Sequence, residues 1–144
     1  MAAPRFSTFR PVHRERPRRW FSLQEANRSL PLVTRIVRDV VNTHRRAMQL
    51  QAKLEATSPA KDIRTLQEQL ETMLERLQDY IHELDEIGVE LKDYETGLID
   101  FPGRHQGRDV YLCWKMGEER VEYWHELHTG FAGRQPASSL QETP

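Results

Sequence analysis

The sequence predicts an α+β protein in which a long antiparallel two-helix hairpin, similar to a coiled coil, precedes a small antiparallel β-sheet. Apolar residues recur every three or four positions between residues 30 and 87, which is typical of packed helices. All seven glycines lie at or beyond Gly88, and from there the apolar spacing shortens toward two, which is typical of strands. The predicted regions are a basic, disordered arm (1–20), the helical hairpin (21–88), a β subdomain packed on it (89–134) and a flexible tail (135–144).

The arm is strongly basic, with six arginines against one glutamate in a chain whose net charge is −1. Three prolines and the dispersed apolar residues favour a solvated, disordered segment over a secretory signal. Two functional interpretations stay open for the arm, a weak electrostatic contact with nucleic acid and an organellar transit peptide.

Composition narrows the class of protein. With 38% apolar and 30% charged residues the chain suits exposed helices, and no apolar run is long enough for a membrane span. Cys113 is the only cysteine, so no internal disulfide can form and a reducing cytoplasm is the expected location.

The first helix has a clear start signal, because Ser22 can cap it and Glu25 can reach back to the Ser22 amide as in a capping box. Pro31 removes one backbone donor, so we expect a bend there rather than a break. The expected seam of this helix consists of Leu30, Val33, Val37, Val40, His44, Ala47, Gln51 and Leu54. His44 is expected to be a buried polar residue that sets the register.

The second helix follows a short reversal, in which Ser58 is a candidate cap and Pro59 suits the first helical position. Gly88 suits the position just past the end of the helix. The expected seam consists of Ile63, Leu66, Leu70, Met73, Leu77, Tyr80, Leu84 and Ile87.

Further apolar residues flank these seams and exceed what two helices can hide, so they must meet the C-terminal third or another chain. They are Ile36, Val41, Met48, Leu74 and Ile81. Homodimerisation of the hairpin into a four-helix bundle is the simplest arrangement that would cover them.

Four short strands are predicted, at residues 89–92, 98–101, 110–115 and 121–126. Residues 116–120 are expected to form a hairpin turn and residues 102–108 a longer basic loop. The turn places Tyr111 opposite His125, and pairing Phe101 with Val110 across the loop would place Asp100 opposite Tyr111.

This β region concentrates side chains that bind transition metals, since imidazole, carboxylate and thiolate occur together. The candidate ligands are Asp100, His105, Cys113, His125, Glu126 and His128. Zinc is the first expectation, and another divalent ion is possible. The structural alternative is a half-buried sheet in which Asp100 and His125 bond each other while Arg104, Arg108 and Arg134 satisfy the carboxylates.

Other chemistries are less well supported. The segment 125–128 lacks one residue of the metalloprotease spacing His-Glu-x-x-His, and the glutamates of the sheet disfavour a surface that stacks nucleic-acid bases. A hydrolase or lyase would require an open metal position with Glu126 as general base.

Several segments resemble the small bacterial proteins grouped as domain of unknown function 2203. The resemblance spans residues 21 to about 136 and includes FSLQEAN at 21–27, GVELKD at 88–93, GLIDFP at 97–102, YLCW at 111–114 and YWHE at 123–126. It implies a bacterial cytoplasmic protein without an established activity, and it adds weight to a polar site around Asp100, His125 and Glu126. The arm before Trp20 lies outside it.

Two functions are therefore carried forward. The leading one is a divalent-metal binding module in the β region. The alternative is a non-catalytic interaction or scaffold protein that dimerises through the heptad faces of its hairpin.

Overall fold

A computed structural model describes residues 16–56 and 60–142, with only the backbone described at residues 60 and 61. It confirms the α+β class. Two helices, α1 (Leu23–Ala56) and α2 (Ala60–Ile87), precede five strands. The strands are β1 (Glu90–Asp93), β2 (Leu98–His105), β3 (Arg108–Lys115), β4 (Tyr123–Glu126) and β5 (Gln135–Pro136). Residues 1–15 of the predicted arm and the predicted cap at Ser58 and Pro59 lie outside the described residues.

The capping box at the start of α1 is confirmed. The Glu25 amide donates to Ser22 Oγ at 3.0 Å, and the Ser22 amide donates to Glu25 Oε1 at 2.9 Å. The helix has 34 residues in all and continues through Pro31 without a break. Its start is therefore fixed by local hydrogen bonds that the sequence already specifies.

The end of α2 is also as predicted. Gly88 has a φ of 99°, and its amide and that of Val89 donate to the carbonyls of Asp85 and Leu84 at 3.0 Å. This pattern is the Schellman motif, which requires a left-handed residue that glycine adopts without strain. The chain leaves the helix here and enters β1.

The hairpin packs one side against the sheet. Ile36, Val41 and Ile81, which flank the seams, are buried in one cluster with residues of the strands. That cluster extends only to Val41 on α1 and to Leu77 on α2. The sheet, which belongs to the C-terminal third, therefore covers much of the surface that we expected to meet either that third or another chain, whereas Met48 remains 44% exposed.

The sheet is an antiparallel meander with the order β1-β2-β3-β4-β5. The β3–β4 register is as predicted, with Tyr111 opposite His125. The β2–β3 register is not, because Asp100 lies opposite Cys113 rather than Tyr111. A shift of two residues leaves side chains on the same face, so Asp100 and His125 still share one.

The register differs because residues 102–105, predicted as loop, belong to β2. The hairpin closes through Gln106 and Gly107, both at positive φ (52° and 80°), a two-residue turn that requires no long loop. Pro102 is tolerated because β1 has already ended, and the Phe21 amide donates to its carbonyl at 2.7 Å.

The first part of the predicted tail contacts the sheet as far as Gln141. Gln135 and Pro136 pair with β4, and the Gln141 amide donates to His105 Nδ1 at 2.9 Å. At the other end, Trp20 donates to Asp109 at 3.0 Å. Within the described residues, no helix has the length and apolar character needed to cross a membrane.

Candidate metal centre

The two faces of the sheet differ in chemistry. The apolar face packs on the helices and carries Leu91, Ile99, Phe101, Leu112, Trp114 and Trp124. The polar face, on the opposite side, carries Glu90, Asp100, Tyr111, Cys113, Tyr123 and His125. Strand alternation explains this separation, because neighbours such as Ile99 and Asp100 point to opposite sides.

Asp100, Cys113 and His125 converge on the polar face. Each offers a ligand atom within 4.8 Å of those of the other two, and all three side chains are buried. His125 Nε2 lies 3.0 Å from both carboxylate oxygens of Asp100. Cys113 lies directly opposite Asp100 in the β2–β3 register. One residue from each of β2, β3 and β4 therefore contributes to a single cluster.

The second ring nitrogen of His125 has a fixed partner. Nδ1 lies 2.7 Å from the carbonyl oxygen of Glu126, which can only accept, so Nδ1 carries a proton. Nε2 then faces the Asp100 carboxylate either as a protonated donor or as a free lone pair. A lone pair beside a carboxylate is repelled, so this geometry requires a cation between them, either a proton or a metal ion.

The protonation of the cluster reflects its burial. Burial is the largest influence on His125 and by itself would lower the pKa. The hydrogen bond and charge of Asp100, with the Glu126 carbonyl, outweigh it and raise the pKa of His125 above 6.5. Burial, with the nearby Asp100 charge, raises the pKa of Cys113 to about 12. Without a metal, burial therefore favours the neutral thiol of Cys113, whereas Asp100 favours the protonated form of His125.

A second polar group lies beside this cluster and was not singled out from the sequence. Burial, followed by the influence of the Glu90 carboxylate, raises the pKa of Tyr111. Lys92 lies 4.8 Å from the Tyr111 ring centroid and 3.0 Å from Glu90. The Tyr111 and His125 rings are 5.5 Å apart. Glu90 lies opposite Asp100 and therefore on the same face of the sheet. The alternation of residues along β1 could have indicated this position from the sequence.

Arg134 also contacts the polar face. Its guanidinium donates to Glu118 at 2.7 Å and to the Cys113 carbonyl at 3.5 Å, and lies 4.0 Å from the Tyr123 ring centroid. The structural alternative anticipated that Arg134 would pair with a carboxylate, and the return of the chain along β5 brings it to Glu118.

The other three predicted ligands are placed elsewhere. His105 lies on the apolar face and stacks on Trp124 with ring centroids 4.3 Å apart. Glu126 pairs with Arg108, whose hydrogen bond lowers the Glu126 pKa, and His128 is exposed in the following turn. Glu126 therefore has no position beside the cluster as a general base.

The ion pairs of the structural alternative are also present. His125 contacts Asp100, and arginines satisfy carboxylates around the sheet, including Arg104 with Asp109 at 3.3 Å and Arg134 with Glu118. These contacts are compatible with either function of the cluster, since they leave the ligand atoms of Asp100, Cys113 and His125 together.

Comparison with known proteins gives a family but no activity. No curated protein and no solved structure matches the chain. The sequence model described as "Uncharacterized conserved protein (DUF2203)" matches residues 19–137, a region that includes both helices, all five strands and all of the cluster. The chain therefore belongs to the DUF2203 family of uncharacterised conserved proteins.

Proposed function

We propose that this protein is a divalent-metal binding module, with zinc the preferred ion, and that Asp100, Cys113 and His125 hold the metal. The observation that carries the proposal is their convergence on one buried face, with ligand atoms within 4.8 Å of one another. Carboxylate, thiolate and imidazole together are a donor set that suits zinc.

The surroundings of His125 support this role. Histidines that bind metals commonly donate their other ring N–H to a carbonyl or carboxylate, which fixes the tautomer and the orientation of the ring. The Glu126 carbonyl occupies that position at 2.7 Å from Nδ1. A divalent ion at Nε2 would also replace the proton that now separates the imidazole from Asp100.

Metal binding would change the charge of the site. Zinc takes a thiolate and a neutral imidazole, so binding would release about two protons, one from Cys113 and one from His125. Affinity should therefore increase with pH. With three protein ligands the fourth position would be available to water or to another molecule, as in catalytic zinc sites. His105 in β2, Glu126 in β4 and His128 in the following turn lie away from the cluster and are not part of the proposed ligand set.

The test is elemental analysis and zinc titration of the purified, untagged full chain. We expect about one equivalent of zinc in the wild type and none in the double variant Asp100→Ala, His125→Ala. The matched control is His105→Ala, His128→Ala, which removes two imidazoles away from the cluster and should keep the metal.

Cobalt substitution identifies the thiolate independently. Cobalt bound by the wild type should show a thiolate charge-transfer band that is lost in Cys113→Ser, while circular dichroism confirms that the variant is folded. A wild-type chain that retains no metal and does not take up added zinc or cobalt would contradict the proposal.

The alternative is a non-catalytic interaction protein that homodimerises through the hairpin. It is supported by the distal half of the hairpin, where Ala47, Leu50 and Leu70 form a separate small cluster. Around that cluster Leu54, Leu66, Met73 and Leu74 are only partly buried. A second hairpin packed here would complete a four-helix bundle.

Light scattering tests this alternative. We expect twice the monomer mass for the wild type and the monomer mass for Met48→Glu, Leu74→Glu, because both charges would be buried in the bundle. A wild-type chain that stays monomeric at high concentration would exclude it. In either function we place the protein in the cytoplasm, supported by its lone, buried cysteine.

A further inference from the structure

A cleft of about 450 Å³ lies between the first half of α1 and the connection from β3 to β4. Three arginines line it, Arg35 and Arg38 from the helix and Arg120 from the connection. It lies outside the polar face, and neither proposed function uses it.

Two features place these arginines together. Arg35 and Arg38 are three residues apart on α1, so their side chains leave the same side of the helix. Arg120 is positioned through its neighbour Val121, whose backbone amide and carbonyl both form hydrogen bonds with the side chain of Asn27. Asn27 Oδ1 accepts from the Val121 amide at 2.8 Å, and Asn27 Nδ2 donates to the Val121 carbonyl at 3.3 Å.

The charge of the cleft is not balanced. In the part of the chain that the structure describes, none of these three guanidinium groups forms an ion pair or a hydrogen bond. Arginines elsewhere do, such as Arg18 with Asp85 at 3.1 Å. Among the described residues that line the cleft, Glu119 is the one acidic side chain, so this lining keeps a positive charge.

We propose that this cleft binds a small molecule that carries two or more phosphate groups. The guanidinium fork matches phosphate oxygens in two parallel hydrogen bonds, and several arginines together favour a multiply charged anion. The Thr34 hydroxyl, which also lines the cleft, is a further donor. The volume lies in the range of small-molecule sites, while the lining that residues 16–56 and 60–142 provide has no aromatic side chain to stack on a base or another ring. Recognition is therefore of the phosphates.

Calorimetric titration of the full chain with tripolyphosphate, in a phosphate-free chloride buffer, tests the proposal. Removing one phosphate contact of this kind should weaken binding about tenfold. We therefore expect the Kd for tripolyphosphate to increase about tenfold in Arg120→Gln and about a hundredfold in the double variant Arg35→Gln, Arg38→Gln. The matched control, Arg45→Gln, Arg46→Gln, removes the same charge from exposed positions of α1 outside the cleft. It should change affinity less than threefold.

Three results would overturn the proposal. The first is no saturable binding of tripolyphosphate by the wild type, checked by phosphorus NMR. The second is equal weakening in the Arg35/Arg38 and Arg45/Arg46 pairs, which would indicate a diffuse positive field. The third is that a single-stranded oligonucleotide binds more tightly than tripolyphosphate and that both pairs of substitutions weaken its binding equally. That result would assign the whole arginine-bearing face of α1 to nucleic acid. Unchanged thermal unfolding of the variants shows that each effect is local.

Discussion

The two faces of one sheet have opposite chemistry although their residues alternate along the same strands. Ile99, Leu112 and Trp124 join the helix core, while the next residue in each strand, Asp100, Cys113 and His125, forms the buried polar cluster. Both sets are almost completely buried. Burial by itself therefore does not distinguish a face that stabilises the fold from a face with another role.

The energetics of the two faces differ. Removing apolar surface from water stabilises the fold by roughly 25 cal/mol per Å². Burying a carboxylate and an imidazole carries a desolvation cost that their attraction only partly offsets, and well-packed apolar residues often serve stability equally well. Stability alone therefore gives a poor explanation of the polar cluster, and this supports the proposal that it binds a metal.

The largest effect is expected on the apolar face. Phe101 is completely buried and its ring packs edge-on against Phe21 at 5.1 Å, so Phe101→Ala should lower the free energy of unfolding by about 3–5 kcal/mol. Urea denaturation measures this. Cys113→Ala, equally buried on the polar face, should cost only about 1 kcal/mol without metal, since it deletes one atom. Similar losses in the two variants would remove the distinction between the faces.

A smaller effect is expected on the pH dependence of stability, and it has opposite signs for His44 and His125. Burial lowers the pKa of His44 below 6.5, so the unfolded state protonates first and the His44 contribution to stability falls as pH decreases through 6.5. The pKa of His125 is raised, so its contribution is fully present below pH 6.5 and is lost as pH increases through the folded pKa.

Urea denaturation of the metal-free protein between about pH 5 and pH 9 measures both contributions. Relative to His44→Gln, the free energy of unfolding of the wild type should decrease at low pH. Relative to His125→Gln, the advantage of the wild type in free energy of unfolding should decrease at high pH instead. Slopes of the same sign would mean that the two histidines have similar surroundings.

The smallest effect lies outside both faces, at the start of α1. Ser22→Ala removes the hydrogen bond to the Glu25 amide and should lower stability by about 1 kcal/mol. Thermal unfolding measures it, with Ser138→Ala, an exposed serine at the other end of the chain, as the control. A loss as large as that of Phe101→Ala would show that the helix start, rather than the apolar face, limits stability.

Local features were predictable because their causes lie within a few residues. The capping box, the glycine that ends α2 and the turn that sets Tyr111 opposite His125 all depend on neighbouring positions. The two-residue turn at Gln106 and Gly107 was missed because glutamine is rarely found at positive φ, and the long-loop interpretation shifted the β2–β3 register by two residues.

By itself, the sequence determined the helical hairpin, the α+β class and a face shared by Asp100 and His125, because heptad spacing and strand alternation are periodic and local. Only the tertiary structure decided that Cys113 joins those two residues while His105, Glu126 and His128 do not, since cross-strand register places residues far apart in sequence. It also brought Arg120 beside Arg35 and Arg38, because the contact between Asn27 and Val121 has no signature in either segment alone.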